Sequence, residues 1–322
     1  MKKTWISTAF FILVSGLMLS ICGTAVAQQK IRHDWVLGGA TPGHTTFQVA
    51  VAYSKILEKI PGFSAVVENS GGGYDGIDLT MAKDIDGAAT GLIGVVAKYN
   101  GIGKYKGQQD QNIRVFMPMY TAPVQVIVLE NSPIQSIMDL KDKRVGTMPV
   151  GAAGHSIILN VLKAADITED DFQSYEIEIM EMVDGLKNGN LDAVMINTGV
   201  PTSAVMELKA TRKIRFVPIE KDLAIKAAGY SPATVPGEMS AGTYADQKEP
   251  ISTVLTYAVM CTRSDIPEEV IYTAVKAIWT EQESLKSSHA SQKAFSKQWF
   301  LDVGNAVPLH SGVRKFMDEM GW

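Results

Sequence analysis

Along most of the chain, short apolar runs alternate with longer segments whose apolar residues recur at helical spacing. The first pattern predicts strands and the second predicts helices. Strands are expected at residues 34–37, 64–69, 91–95, 113–120, 124–130, 144–148, 177–179, 191–197, 214–218 and 251–262. A helix is expected from Thr45 or Thr46, with Phe47, Val51, Ser54 and Leu57 on one face. Others are expected at 74–83, 157–165, 182–188, 202–211, 267–286, 290–295 and 311–319, with a short one inside 133–140. Gly189 stops the helix at 182–188. Residues 100–112 and 230–243 carry no clear period and read as irregular.

Strands and helices alternate, which predicts a doubly wound α/β protein. The runs at 124–130 and 251–262 are long. If each crosses between two halves, they are hinge strands. The chain then divides into one lobe of residues 28–125 plus 256–322 and a second of 126–255, with a ligand cleft between them. Two strand–glycine–helix junctions would serve that cleft. Residues 34–37 lead through 38–44 to Thr45, and 144–148 lead through 150–155 to Ser156. Thr45, Thr46 and Ser156 are residue types that cap helices. Gly151 and Gly154 let the backbone come close to a ligand. A helix N-terminus offers unpaired N–H groups and the positive end of the helix dipole, and small anions bind there. An ordinary βα turn without a ligand has the same features. Asn197-Thr198-Gly199-Val200-Pro201 closes another strand and opens a helix, at the edge where open sheets gather ligands. A plain proline-led helix start reads equally well there.

Composition narrows the class. A hydrophobic share of 46% supports a sizeable core, and 322 residues suit one large or two medium domains. A net charge of −4 argues against nucleic acid as a partner. Lys2 and Lys3, the apolar run 5–22 and Ala25-Val26-Ala27 make a secretory signal peptide at 1–27, cleaved after Ala27. The alternatives are an uncleaved anchor and a lipoprotein joined through Cys22. Bulky Ile21, where a small residue is usual, argues against the lipoprotein. The expected location is the periplasm. Cys261 is then the one cysteine of the mature chain, too few for an internal disulfide.

Candidate chemistry is sparse. Residues 38–45 nearly match a phosphate loop, but His44 stands where the lysine belongs. Binding of a smaller anion by the same backbone stays open. His33, His44, His155, His289 and His310 show no zinc-site spacing, and no nucleophile elbow is present. Ser156 follows His155 directly, and neighbours on a helix do not face each other. No catalytic residue, metal or cofactor is expected, and a secreted hydrolase is the weakest reading.

The run D-L-K-D-K-R-V-G followed by V-G-A-A-G-H-S, at 139–156, resembles a region of the TAXI class of solute-binding proteins, which serve TRAP transporters. Further stretches are similar to that class in order along the mature chain. They are G-H-T-T-F at 43–47, Y-N-G and Y-K-G at 99–107, L-K-N-G-N-L-D-A at 186–193, T-G-V-P at 198–201, A-G-T-Y at 241–244 and P-L-H-S-G at 308–312. The resemblance implies a type II-like periplasmic binding-protein fold. It implies a receptor, without enzymatic activity, that takes a small organic anion such as glutamate or 2-oxoglutarate. It implies delivery to TRAP permease subunits, small and large, separate or fused. Residues 67–73, V-E-N-S-G-G-G, loosely resemble the receptors of tricarboxylate tripartite transporters, which is the alternative. Departures from the TAXI pattern include Ala152 and Ala153 in the second turn, the apolar run 91–96, and Gln125 in place of a histidine. Ligand identity therefore does not carry over. The candidate ligand-binding set is Gly39, Thr41, Gly43, His44, Thr45, Thr46, Ser70, Gly71, Tyr120, Gly151, Gly154, His155, Ser156, Asn197, Thr198, Gly199 and Val200.

Overall fold

The computed structural model of the protein describes residues 33–39, 44–150 and 152–322. The expected signal peptide, its cleavage after Ala27 and the alternative at Cys22 lie outside the described residues. So do Thr41, Gly43 and Gly151 of the candidate set.

The chain opens with β1 (His33–Gly38), α1 (Thr45–Leu57), β2 (Phe63–Glu68), α2 (Gly73–Ala82), β3 (Gly87–Gly91) and α3 (Leu92–Asn100). The long strand β4 (Ile113–Leu129) follows. Next come β5 (Arg144–Thr147), α4 (Ala153–Ala164), β6 (Gln173–Glu176), α5 (Ile179–Lys187), β7 (Ala193–Asn197), α6 (Ser203–Thr211), β8 (Ile214–Val217), α7 (Lys221–Ala228) and β9 (Thr234–Met239). The second long strand, β10 (Ile251–Arg263), leads into α8 (Glu268–Thr280), α9 (Gln282–Ser288), α10 (Lys297–Ala306) and α11 (Ser311–Glu319). Among the described residues no helix is long and apolar enough to cross a membrane.

The strands run in the order β2-β1-β3-β10-β4-β7-β5-β6, with β8 on β4 and β9 on β10. β1 pairs parallel with β2 and β3, and β5 pairs parallel with β6 and β7. The two long strands join these groups antiparallel and change partners along their length. β4 pairs with β10 through Pro123, then with β7 from Val124 to Ile127 and with β8 from Val126 to Leu129. β10 pairs with β9 up to Thr256 and with β3 from Ala258. The result is a two-lobed mixed α/β protein. Helices α8 to α11 pack on α1 and β4, where Trp279, Phe295, Phe300, Phe316 and Trp322 form one aromatic cluster.

Several elements differ from the sequence expectation, each for a physical reason. Residues 91–95 are not a strand: β3 ends at Gly91, and 92–100 are α3. Leu92 to Ala97 are all buried, and a helix buried all round shows no apolar period to separate it from a buried strand. The expected strands 113–120 and 124–130 are one strand. Pro118 and Pro123 lack an N–H for the ladder, and the register shifts between Ala258 and Val259, opposite Pro118. The expected strand at 177–179 falls instead at β6, an exposed polar edge with no apolar signal, and α5 begins at Ile179. Residues 230–243 are not wholly irregular, because 234–239 form β9. Its Pro236-Gly237 reads as a turn, and β9 tolerates the proline by pairing on one side with β10. Helix α7, with only Ala224 and Ala227 buried, gives too weak an apolar stripe to be read. The expected helix 267–286 is two, broken at Glu281, and the helix expected at 290–295 is a 3-10 turn at Ala290–Gln292 followed by α10.

Candidate functional site

Six βα junctions open on one cavity of about 270 Å³. His44 comes from β1–α1, Gly71 to Gly73 from β2–α2, and Gly91 from β3–α3. Met148, Pro149 and Ala152 to Gly154 come from β5–α4, Glu178 from β6–α5, and Asn197 with Thr198 from β7–α6. Tyr120 and Ala122 of β4 and Tyr257 and Ala258 of β10 also line it, close to where both strands change partners. The carboxyl ends of the strands thus face one opening, the place where open α/β sheets take ligands.

The helix caps at this opening share one feature. His44, Gly72, Gly91, Ala152 and Glu178 are the N-cap residues of α1, α2, α3, α4 and α5, and none makes a side-chain cap hydrogen bond. All five line the cavity. The first N–H groups of a helix have no partner within the helix, and the dipole adds positive potential there. Five such ends around one cavity turn backbone donors and partial positive charge toward its wall.

The two halves meet across the opening. The ring nitrogen Nε2 of His44 lies 3.9 Å from Oε2 of Glu178. The hydroxyls of Tyr74 and Ser156 are 3.5 Å apart. A Cβ on Gly91 would fall 2.8 Å from that of Ala153, and one on Gly199 would fall 2.8 Å from the Tyr120 ring. Only glycine permits these approaches at the present separation.

The sequence-derived candidates divide into two groups. His44, Thr46, Gly71, Tyr120, Gly154, Asn197 and Thr198 are brought together on the cavity wall. The Tyr120 hydroxyl and Thr46 Oγ1 are 2.7 Å apart, and burial pushes the Tyr120 phenol up to about 12, so it is a neutral hydroxyl. Asn197 donates through Nδ2 to the Ala122 carbonyl at 2.8 Å. Gly39, Thr45, Ser70, His155, Ser156, Gly199 and Val200 do not line the cavity. Gly39 is packed under Phe47 and Val67. Thr45 is buried as the first residue of α1, and the cap is His44, so neither Thr45 nor Thr46 caps that helix. Ser70 is buried, and its Oγ donates to the Gly72 carbonyl at 3.5 Å. Helix α4 begins three residues before Ser156, so Ala152 holds the cap position expected for the serine. His155 is not part of the lining: it is buried, with Nδ1 2.7 Å from the Met148 carbonyl. A carbonyl only accepts, so Nδ1 carries the proton. Val200 precedes Pro201 across a cis peptide bond, and α6 starts at Ser203, so Pro201 is not its first residue.

Asp75, Thr90, Gly91, Met148, Glu178 and Tyr257 are wall residues that the sequence reading omits. Thr90 Oγ1 donates to the Gly73 carbonyl at 2.9 Å, and Tyr257 donates to Asp302 Oδ2. Among the described residues one group has metal-ligand potential: His155, Glu169 and Glu176 offer atoms within 4.8 Å of one another. Both glutamates are exposed, and none of the three lines the cavity.

Two solved structures share this architecture. A TctC solute binding protein from Polaromonas is 15% identical, with 88% of this chain and 98% of that chain covered, at a TM-score of 0.54. The zinc-bound ligand binding component of an ABC-type import system from Staphylococcus aureus is 13% identical, with 90% and 92% covered, at a TM-score of 0.50. At such identities the likeness is one of fold, the two-lobed fold of periplasmic binding proteins. The model of the NMT1-like family matches residues 37–321. With nearly all of its described length so matched, the chain belongs to the NMT1-like family.

Proposed function

We propose that the protein is an extracytoplasmic receptor of the TAXI type. It captures a small carboxylate-bearing solute, amino acids included, and delivers it to TRAP permease subunits. One observation carries this reading: five helix N-termini with no side-chain cap converge on one cavity between two halves of the molecule. Backbone donors fixed in this way bind an acceptor without reorganising. A division into lobes of 28–125 plus 256–322 and 126–255 is part of this proposal; from residue 33 onward it is supported by the change of partners of both long strands near those positions. The signal-peptide pattern at 1–27 supports export to the periplasm. The site is read as one of binding and not of catalysis, since the His155 Nδ1 proton is held by a backbone carbonyl and Ser156 lies off the cavity. A receptor for a tricarboxylate tripartite transporter is the second reading. It is favoured by residues 67–73, which form the β2–α2 junction at the cavity wall.

A thermal-shift screen of the purified protein against four- to six-carbon acids and amino acids tests the receptor reading. A ligand present at a hundred times its Kd adds about 2.7 kcal/mol of stability. At least one compound is expected to raise the melting temperature in proportion to the logarithm of its concentration. A flat response across the panel counts against a carboxylate receptor.

A further inference from the structure

The charges around the cavity are lopsided. Its described lining holds Asp75 and Glu178 and no lysine or arginine. Neither glycine-rich turn supplies one, since residues 38–46 and 148–156 contain no Lys or Arg. Glu178 sits at the head of α5, with a side chain 64% exposed. Among the described residues its one ion-pair contact is His44, at 3.9 Å across the opening. Asp75 lies in the first turn of α2, where Lys104 is 3.8 Å away and shared with Asp78 at 3.5 Å. Lys104 is not part of the lining.

Helix N-termini can hold one carboxylate. A second carboxylate on the same solute would meet Glu178 or Asp75 as the cleft closes, with no lysine or arginine in the described lining to offset the repulsion and Lys104, outside it, already shared by Asp75 and Asp78. Burying an unpaired charge beside a like charge is strongly unfavourable, whereas a cationic group there finds a partner. The rings of Tyr120 and Tyr257, both on the wall, can also attract a cation. We propose that the cleft selects a solute with one carboxylate and at least one cationic group, an ammonium or guanidinium, so that its net charge is zero or positive. Glu178 is the specificity-determining residue and Asp75 the second acceptor. Dicarboxylates are discriminated against. This assignment rests on the receptor reading of the same cavity.

Calorimetric titration of the full chain with L-lysine, L-arginine, L-glutamine, L-glutamate and 2-oxoglutarate tests it. The basic amino acids are expected to bind tightest and 2-oxoglutarate weakest. Glu178→Gln should weaken the basic ligands at least about tenfold, the loss expected for a hydrogen bond to a charged group. It should change L-glutamine less, and Glu178→Lys should move the preference toward L-glutamate. Glu178 is a surface side chain, so both variants are expected to fold, and unchanged circular dichroism checks this. Tighter binding of 2-oxoglutarate or L-glutamate than of any basic probe by the wild type overturns the charge assignment and leaves the receptor reading standing. An unchanged ranking in both Glu178→Gln and Asp75→Asn also overturns it. Failure of all five probes to bind removes the receptor reading for carboxylates, and this assignment with it.

Discussion

Tyr244 ties the cavity wall to the crossing strand. Its hydroxyl donates to Gln125 Oε1 at 2.6 Å and accepts from the Thr202 backbone N–H at 3.0 Å. Thr202 Oγ1 in turn donates to the Gly199 carbonyl at 3.0 Å. All three side chains are buried, and the Tyr244 ring stacks on Phe216 at 5.2 Å. Burial raises the Tyr244 phenol above its ordinary value, so at neutral pH the hydroxyl stays a donor. The network holds residues 198–202 against β4 just past its change of partner, and Thr198 reaches the cavity from there. Tyr244→Phe leaves the Thr202 N–H and the Gln125 carbonyl oxygen buried without this partner, at a cost of about 1–3 kcal/mol. Urea unfolding should show that loss as a lower midpoint with an unchanged slope, and an unchanged midpoint would show that the network adds nothing to stability. In the sequence, Tyr244 is visible as the end of A-G-T-Y, and Gln125 reads only as a departure from a family pattern. Nothing local joins two residues 119 positions apart. Glu178 was illegible for a different reason. With a strand expected at 177–179, it fell inside an element, when it is in fact the cap of α5.

At the scale of elements, short apolar runs bounded by turn residues were legible as strands, and apolar stripes at helical spacing as helices. β1, β2, β5, β8, α2, α6 and α11 fall within a residue or two of expectation. The misses have separate causes: α3, buried all round, shows no helical period, β6 offers no apolar signal, and Pro236-Gly237 makes β9 read as a turn. One of the well-read elements, β10, carries a built-in reporter. Cys261 lies where β10 pairs with β3 on one side and β4 on the other, opposite Ala88 and Val115. It is fully buried, and a Cβ on Gly87 would come 2.6 Å from its carbonyl oxygen. Burial pushes the thiol up to about 12. The thiolate is the reactive form, so both access and ionisation protect this group in the native state. The sign follows: the raised value keeps the neutral thiol in the folded protein, and any stability it lends is lost only as pH rises toward that value. A thiol-specific label at pH 8 should leave the native protein unmodified over hours and react fully in guanidinium. Rapid native labelling would mean that β10 separates locally from β3 or β4, and would contradict the packing described for Cys261.

For the molecule as a whole, the question is what the two crossing strands permit. β4 and β10 are the long ladders that run from one half to the other, and the cavity wall includes residues at their change of partners. Bending there moves the halves without breaking either parallel sheet group. Among the described residues, the contacts that join the halves across the opening are mostly polar or at van der Waals distance. They include His44 with Glu178, Tyr74 with Ser156, Asn197 with the Ala122 carbonyl, and the close approaches at Gly91 and Gly199. A pair exposed to this degree is worth little, at most about 1 kcal/mol. The unliganded protein can therefore open at small cost, and a ligand bridging the helix ends of both halves supplies the differential contacts that favour closure. Small-angle scattering should give a smaller radius of gyration with a bound solute than without. Gly91→Val should block that contraction, because its side chain would occupy the space against Ala153. In that variant binding should weaken while the melting temperature of the unliganded protein changes little, since an open form accommodates the added bulk. Two results would sink the hinge. One is an equal radius with and without solute when calorimetry shows the site filled. The other is a Gly91→Val protein that contracts and binds as the wild type does.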